Sequence, residues 1–152
     1  MLFRSFPGAG YVVEKLFREH YAERFVASAT GAIRDVPDRS HLFDKISTLI
    51  PEDWGAGTTD AIATMSTDGR RIVIKAVNYS AQRNALLVRL QGSRLPKKAV
   101  AALHTISAQL TDSASLEHPD AIAPKSRPLQ YATDFAVDLD PYSVAVVEIQ
   151  AD

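Results

Sequence analysis

The hydrophobic pattern of the first segment has the period of a helix. Between about residues 10 and 25, the larger side chains recur at three- and four-residue intervals, while Glu14, Lys15 and Glu19 lie on the other face. The stripe consists of Val13, Leu16, Phe17, His20, Tyr21 and Arg24. Because an isolated helix of this length is only marginally stable in water, we expect the stripe to be buried against another surface.

From Thr59 onward the pattern changes to the alternation typical of strands. Segments 62–66 and 70–79 are predicted to form a hairpin around Asp68-Gly69. Two more strands are predicted over 85–91 and 100–110. A final hairpin is predicted across Asp140-Pro141, pairing Phe135, Val137 and Leu139 with Ala145, Val147 and Ile149.

These periods predict a mainly β protein, an antiparallel β-sandwich with jelly-roll-like connections, preceded by an N-terminal amphipathic helix. The expected organisation is a helical segment over residues 1–28, a linker over 29–59 and a sandwich over 60–152. Within the linker, Ser40 can cap a short helix that Pro51 ends, and an irregular edge segment is the alternative.

Composition removes several classes of function. The net charge is −1 at pH 7, which gives no electrostatic footprint for nucleic acid or an anionic membrane. There is no cysteine, and hence no disulfide, thiol nucleophile or thiolate metal site. Arg4 and Pro7 interrupt the N-terminal apolar residues, so we expect no signal peptide and a cytoplasmic protein.

Three segments carry a family resemblance: residues 71–80, the loop over residues 116–124, and the closing Asp140-Pro141-Tyr142-Ser143 strand over residues 139–149. Together they resemble the C-terminal β-sandwich domain of the α-L-arabinofuranosidases of glycoside hydrolase family 51. The resemblance covers roughly residues 8–28 and 60–150. It implies that the first helix corresponds to the last helix of a catalytic (β/α)₈ barrel.

The resemblance implies a non-catalytic domain that docks on a catalytic barrel absent from this chain. The partner would be the barrel of the same enzyme or of a neighbouring chain. The parent activity would be retaining hydrolysis of terminal α-L-arabinofuranosyl residues, and the chain alone is expected to be inactive. If the helix face of Val13, Leu16, Phe17 and Tyr21 normally covers a barrel, the chain must fold it onto the sandwich or shield it in a homo-oligomer.

We find no catalytic residue and no cofactor-binding residue in the sequence. A retaining glycosidase needs two carboxylates about 5–5.5 Å apart, and no acid here falls in a recognisable pair. The four histidines, His20, His41, His104 and His118, are widely spaced along the chain. We therefore interpret them as unrelated imidazoles and predict no metal site.

Carbohydrate binding is the alternative function. Sugar-binding modules present planar aromatic rings, and Trp54, the single tryptophan, is the candidate stacking residue, with Tyr79, Tyr131 and Tyr142 as further candidates. A stand-alone module for arabinose-containing polysaccharides would use such a platform. Asn78-Tyr79-Ser80 also fits a glycosylation acceptor, but we interpret Asn78 as a strand end whose amide binds loop backbone two residues on.

Overall fold

The computed structural model describes residues 8–28, 58–92, 95–108, 112, 114, 118 and 121–152. In this part of the chain, one helix, α1 (Ala9–Glu19), precedes eight strands. The strands are β1 (Arg24–Phe25), β2 (Thr59–Met65), β3 (Arg71–Asn78), β4 (Asn84–Arg89), β5 (Ala99–Ser107), β6 (Lys125–Leu129), β7 (Asp134–Leu139) and β8 (Ser143–Ala151). The linker predicted over residues 29–59 lies almost entirely outside the described residues.

Within these residues the strands form a six-stranded sheet, in the order β1-β2-β3-β8-β5-β6, and a two-stranded sheet of β4 and β7. Every pairing is antiparallel. The predicted mainly β, antiparallel fold with one N-terminal helix is confirmed. Both edges of the larger sheet are protected: β1 has two residues, and β6 carries Lys125, Arg127 and Pro128, which discourage further pairing.

The main core lies between the two sheets. Alternate residues of the central strands, such as Ile74, Leu103 and Val147, face Phe135, Val137 and Leu139 of the smaller sheet. Each of these side chains is at most 9% exposed. The period-two pattern therefore arises because one side of each strand enters this core.

The turn between β2 and β3 matches the sequence prediction. Gly69 has a φ of 74°, a left-handed conformation that glycine adopts without a steric penalty. The Asp68 carboxylate accepts hydrogen bonds from the Ser66 hydroxyl and the Arg70 backbone N–H. The chain is thereby reversed within a few residues, and β2 pairs with β3 along its whole length.

The predicted final hairpin is wrong. β7 pairs with β4, whereas β8 lies in the other sheet between β3 and β5. Asp140-Pro141 therefore connects the two sheets instead of closing a hairpin. The apolar residues assigned to that hairpin do share one core, but they meet face to face across it. Alternation predicts a buried face and does not say which strand is the hydrogen-bonded neighbour.

The predicted first helix is too long. α1 ends at Glu19, and His20 leaves the helical conformation with φ −111° and ψ 72° while its N–H still bonds to the Leu16 carbonyl. Arg24 and Phe25 then pair with Met65 and Thr64 as β1. Long-range pairing with β2 thus overrides the local helical pattern beyond His20.

A second, smaller core holds α1 on the outer face of the six-stranded sheet. Leu16, which is 2% exposed, packs with Val73, Ile106 and Val146. These three residues lie on β3, β5 and β8, on the side facing away from the main core. The helix is therefore folded onto the sandwich. This is one of the two arrangements that we expected for its apolar face.

Candidate functional site

Strand register gathers polar side chains on the outer face of the larger sheet, beside α1. Val73 of β3 and Ala102 of β5 both lie opposite Glu148 of β8. Arg71 and His104 are each two residues away from those positions, and so they share this face and lie diagonal to Glu148. Diagonal neighbours are within reach of long side chains.

A fourth polar residue, His20, reaches the same face from the end of the helix. His20, at the C-cap of α1, places its Nδ1 atom 2.5 Å from Glu148 Oε2. Its ring also lies against that of His104, with the centroids 4.1 Å apart and the planes inclined by 33°. The side chains of His20 and Glu148 are only 16% and 23% exposed, so this contact is largely shielded from water. We call His20, His104 and Glu148 the His–His–Glu cluster.

Two neighbours orient the cluster. Arg71 Nε lies 2.7 Å from Glu148 Oε1, as an ion pair whose N–H is not directed well enough for a hydrogen bond. His104 Nδ1 shares a 2.7 Å hydrogen bond with the hydroxyl of Ser126 on β6. Arg71 therefore contacts the carboxylate oxygen that His20 does not contact. Because Ser126 contacts Nδ1 of His104, any further ligand of this ring would have to use Nε2.

The charges favour an ionised carboxylate beside a neutral imidazole. Burial alone would raise the pKa of Glu148, but the hydrogen bond with His20 and the charge of Arg71 outweigh it and lower that pKa. Burial lowers the pKa of His104, and the proximity of His20 lowers it further. At neutral pH, Glu148 thus carries a negative charge and His104 is uncharged.

This cluster is unsuited to glycosidase acid catalysis but has the atoms of a metal site. A general acid of that kind needs a raised carboxyl pKa, whereas that of Glu148 is lowered. One ligand atom from each of His20, His104 and Glu148 lies within 4.8 Å of the others. Imidazole nitrogen and carboxylate oxygen are both donors for transition-metal ions.

The prediction that the four histidines are unrelated is therefore wrong for His20 and His104. His20 was visible as a member of the helical stripe, and His104 and Glu148 as strand residues. Their meeting depends on β5 and β8 being neighbours and on the helix crossing that pair, which spacing along the chain does not reveal. His118 is exposed and outside the cluster, and His41 lies outside the described residues.

The four residues of the expected interface have different surroundings. Leu16 is buried in the chain's own second core, and Val13 and Phe17 are partly buried beside it. Tyr21 is 59% exposed. Val13, Phe17 and Tyr21 line a shallow groove of about 670 Å³ next to Lys75, whose Nζ donates to the Phe17 carbonyl at 2.8 Å.

The candidate sugar-stacking residue Trp54 lies outside the described residues. Tyr131 is partly buried and donates its hydroxyl to the Pro96 carbonyl. Tyr79 and Tyr142 are 52% and 38% exposed, and the Tyr142 N–H bonds to the carbonyl of Ser80, so both belong to the same end of the sandwich. Tyr142 has a φ of 50°, an unusual conformation for a bulky residue.

Asn78 has the structural role expected of it. It is 0% exposed, and its Oδ1 atom accepts the Ser80 N–H two residues on. Its amide nitrogen donates to carbonyls of Gln82 and Asp140. A side chain so enclosed is not accessible for glycosylation in the folded chain.

Several solved arabinofuranosidases have a similar fold. The family 51 α-L-arabinofuranosidase of Thermotoga petrophila matches 95% of this chain with a TM-score of 0.69 and 24% identity. The α-L-arabinofuranosidase of Thermotoga maritima matches 95% with a TM-score of 0.66 and 24% identity. An arabinose-bound family 51 enzyme, MgGH51, matches 97% with a TM-score of 0.71 and 16% identity.

This chain spans only a small part of those enzymes, 29% of each Thermotoga protein and 20% of MgGH51. No protein-family model matches the sequence, and no curated protein matches it. Among the described residues, no helix has both the length and the apolar character needed to cross a membrane. The likeness confirms the predicted resemblance to a family 51 sandwich at the level of the fold.

Proposed function

We propose that this chain is the non-catalytic C-terminal β-sandwich domain of an α-L-arabinofuranosidase-like glycoside hydrolase. It docks on a catalytic (β/α)₈ barrel that these 152 residues do not include. The observation that carries the proposal is the match of 95% of this chain to 29% of the Thermotoga petrophila enzyme. A single domain of that enzyme would give such a match, in which nearly all of a short chain aligns with a small part of a longer one.

The electrostatics of the described residues support a non-catalytic role. Acid catalysis in a retaining glycosidase requires one carboxyl group whose pKa is raised, so that it stays protonated at working pH. The two carboxyl groups with a resolved shift, Asp68 and Glu148, both have a lowered pKa. Asp134 and Asp140 are paired with Arg89 and Arg83. Hydrogen bonds and ion pairs of this kind are typical of structural carboxylates.

The outer side of α1 supplies the docking surface. Val13 and Phe17 are only partly covered by the sandwich, and Tyr21 and Tyr11 are 59% and 61% exposed. Phe25, just beyond the helix, is 79% exposed. Large apolar side chains that are exposed on and just beyond one helix are typical of an interaction surface. The barrel, or a second copy of the chain, would cover them.

Capture from the cells that encode this chain tests the docking. A tagged chain should retain a hydrolase with a (β/α)₈ barrel, identified by mass spectrometry. Tyr21→Glu places a charge in the proposed surface and should abolish the capture. Ala136→Glu is the matched control, because Ala136 is an exposed residue of β7 on the smaller sheet. Capture that is equal in both variants would contradict docking through α1.

The exposed tyrosines favour one alternative function, a stand-alone carbohydrate module. Tyr79 and Tyr142 lie at the same end of the sandwich, and Tyr142 combines partial exposure with a φ of 50°, the kind of backbone outlier that clusters at functional sites. Titration with arabinan or arabinoxylan fragments, followed by intrinsic fluorescence, separates the two functions. A docking domain should show no change, whereas a saturable change that is lost in Tyr142→Ala would establish sugar binding.

A further inference from the structure

We propose that the His–His–Glu cluster binds one divalent transition-metal ion, of which Zn²⁺ is the representative, between the end of α1 and the sheet. The ligands are Nδ1 of His20, Nε2 of His104 and Oε2 of Glu148. They come from three separate elements, the helix C-cap, β5 and β8. The site is independent of the proposed docking function.

The donor set is the first argument. Two imidazole nitrogens and one carboxylate oxygen form a combination used by zinc sites in proteins, with a fourth position left for water. One donor atom of each residue already lies within 4.8 Å of the others. The three side chains are partly buried rather than dispersed in solvent, so few rotamers have to be fixed when an ion binds.

Binding has one chemical requirement. A metal ligand must present a lone pair, so a carboxylate must be ionised and an imidazole nitrogen must be free of its proton. His20 Nδ1 and Glu148 Oε2 share a hydrogen bond. Coordination through His20 Nδ1 therefore moves the hydrogen atom between them to solvent or to Nε2 of the same ring.

The surrounding contacts are the second argument. Arg71 pairs with Oε1 of Glu148 and leaves Oε2 directed toward the imidazoles. The Ser126 hydroxyl holds Nδ1 of His104, a hydrogen bond of the kind that fixes the orientation of metal-binding histidines. The positive charge of Arg71 opposes a cation, but it also orients the carboxylate that would neutralise one.

The bound state requires the ligand atoms to shift. His20 Nδ1 and Glu148 Oε2 are 2.5 Å apart as hydrogen-bonded partners. Two ligands at about 2.0–2.1 Å from a tetrahedral ion are about 3.3 Å apart. The ion therefore replaces the shared proton and separates these atoms by less than an ångström. His20 can move with the helix end because it is the residue at which α1 terminates.

Calorimetric titration of the metal-free chain with Zn²⁺ tests the proposal. The wild-type chain should bind one ion and should melt at a higher temperature with Zn²⁺, an increase that a chelator reverses. His104→Gln should weaken binding by at least about tenfold, the loss seen on removal of even an outer-shell partner. His118→Gln is the matched control and should bind like wild type, because His118 lies outside the cluster.

Equal affinity in His104→Gln and His118→Gln, or no wild-type binding tighter than about 1 mM, would overturn the proposal. Circular dichroism without metal establishes whether His104→Gln is folded. If it is not, Co²⁺ added to the wild-type chain decides the matter. The intense visible absorption of four-coordinate cobalt supports the site, and the weak spectrum of hydrated Co²⁺ refutes it.

Discussion

At the scale of single residues, Asn78 joins the ends of the two sheets. It closes β3 in the larger sheet, and its Nδ2 atom donates to the carbonyls of Leu139 and Asp140, at the end of β7 in the smaller one. The Asn84 amide donates to Asn78 Oδ1 at 3.1 Å. A fully buried amide with partners on both sides fixes how the sheets meet.

Asn78→Ala should therefore lower the free energy of unfolding by about 2–4 kcal/mol, because it leaves several buried carbonyl and N–H groups without partners. Gln150→Ala is the control, since Gln150 is exposed on β8, and it should change stability by about 0.5 kcal/mol or less. Urea unfolding of the two variants measures the difference. Equal stability would show that the Asn78 contacts are not important for the fold.

Asp68 provides a pH test of the β2–β3 turn. The Ser66 hydroxyl and the Arg70 N–H lower its pKa, so the turn is stabilised above the ordinary carboxyl range and loses that stabilisation as pH falls through the lowered pKa. Ser66→Ala should raise the pKa of Asp68, as measured by NMR titration, and Thr67→Ala should not. An unchanged pKa in Ser66→Ala would contradict this account.

The residues of the His–His–Glu cluster show where sequence reasoning ends at this scale. The Asp68-Gly69 turn could be predicted because its chemistry is local to four residues. His20, His104 and Glu148 are brought together only by the register of β8 and by the position of the helix end. No spacing along the chain specifies that juxtaposition, so the cluster could be found only in three dimensions.

At the scale of elements, a narrow apolar stripe holds α1 against the larger sheet. Leu16 is the buried residue of the helix, and Val12, Val13 and Phe17 flank it. Lys75 adds a hydrogen bond to the Phe17 carbonyl, near the negative end of the helix dipole. Packing on the sheet therefore accounts for a helix of eleven residues that would be marginal alone.

Leu16→Ala should cost about 2–5 kcal/mol of stability, because the cavity it leaves lies between the helix and Val73 and Val146. Tyr21→Ala removes a larger side chain that is 59% exposed, and should change stability by about 0.5 kcal/mol or less. Denaturant titrations of both variants test this contrast. A cost for Tyr21→Ala as large as that for Leu16→Ala would place Tyr21 inside the fold.

The hydrophobic pattern predicted some features of the strands and missed others. The existence of β3, β5, β7 and β8 followed from alternation, as did the shared apolar face of β7 and β8, because one side of each strand faces the main core. The strand β6 was not predicted, since all but its last residue are exposed and it contains Pro128. Pairing partners were also unpredictable for β7 and β8, because facing strands and adjacent strands bury the same residues.

At the scale of the whole molecule, we expect the exposed side of α1 to govern association. Without a barrel to cover Tyr11, Tyr21 and Phe25, we expect the chain to self-associate with increasing concentration. Sedimentation velocity should show a larger species for wild type and for Ala136→Glu, and a monomer for Tyr21→Glu. A wild-type chain that stays monomeric at every concentration would contradict the use of this surface between copies.

The central claim is that the sandwich carries none of the hydrolytic chemistry of the enzymes it resembles. The most direct test is release of the aryl alcohol from an aryl α-L-arabinofuranoside by the purified chain alone. We predict a rate equal to that of buffer, because the resolved carboxyl shifts of the described residues, at Asp68 and Glu148, are both toward the ionised form. Turnover that co-elutes with the chain through repeated purification, and that Glu148→Gln abolishes, would contradict the account.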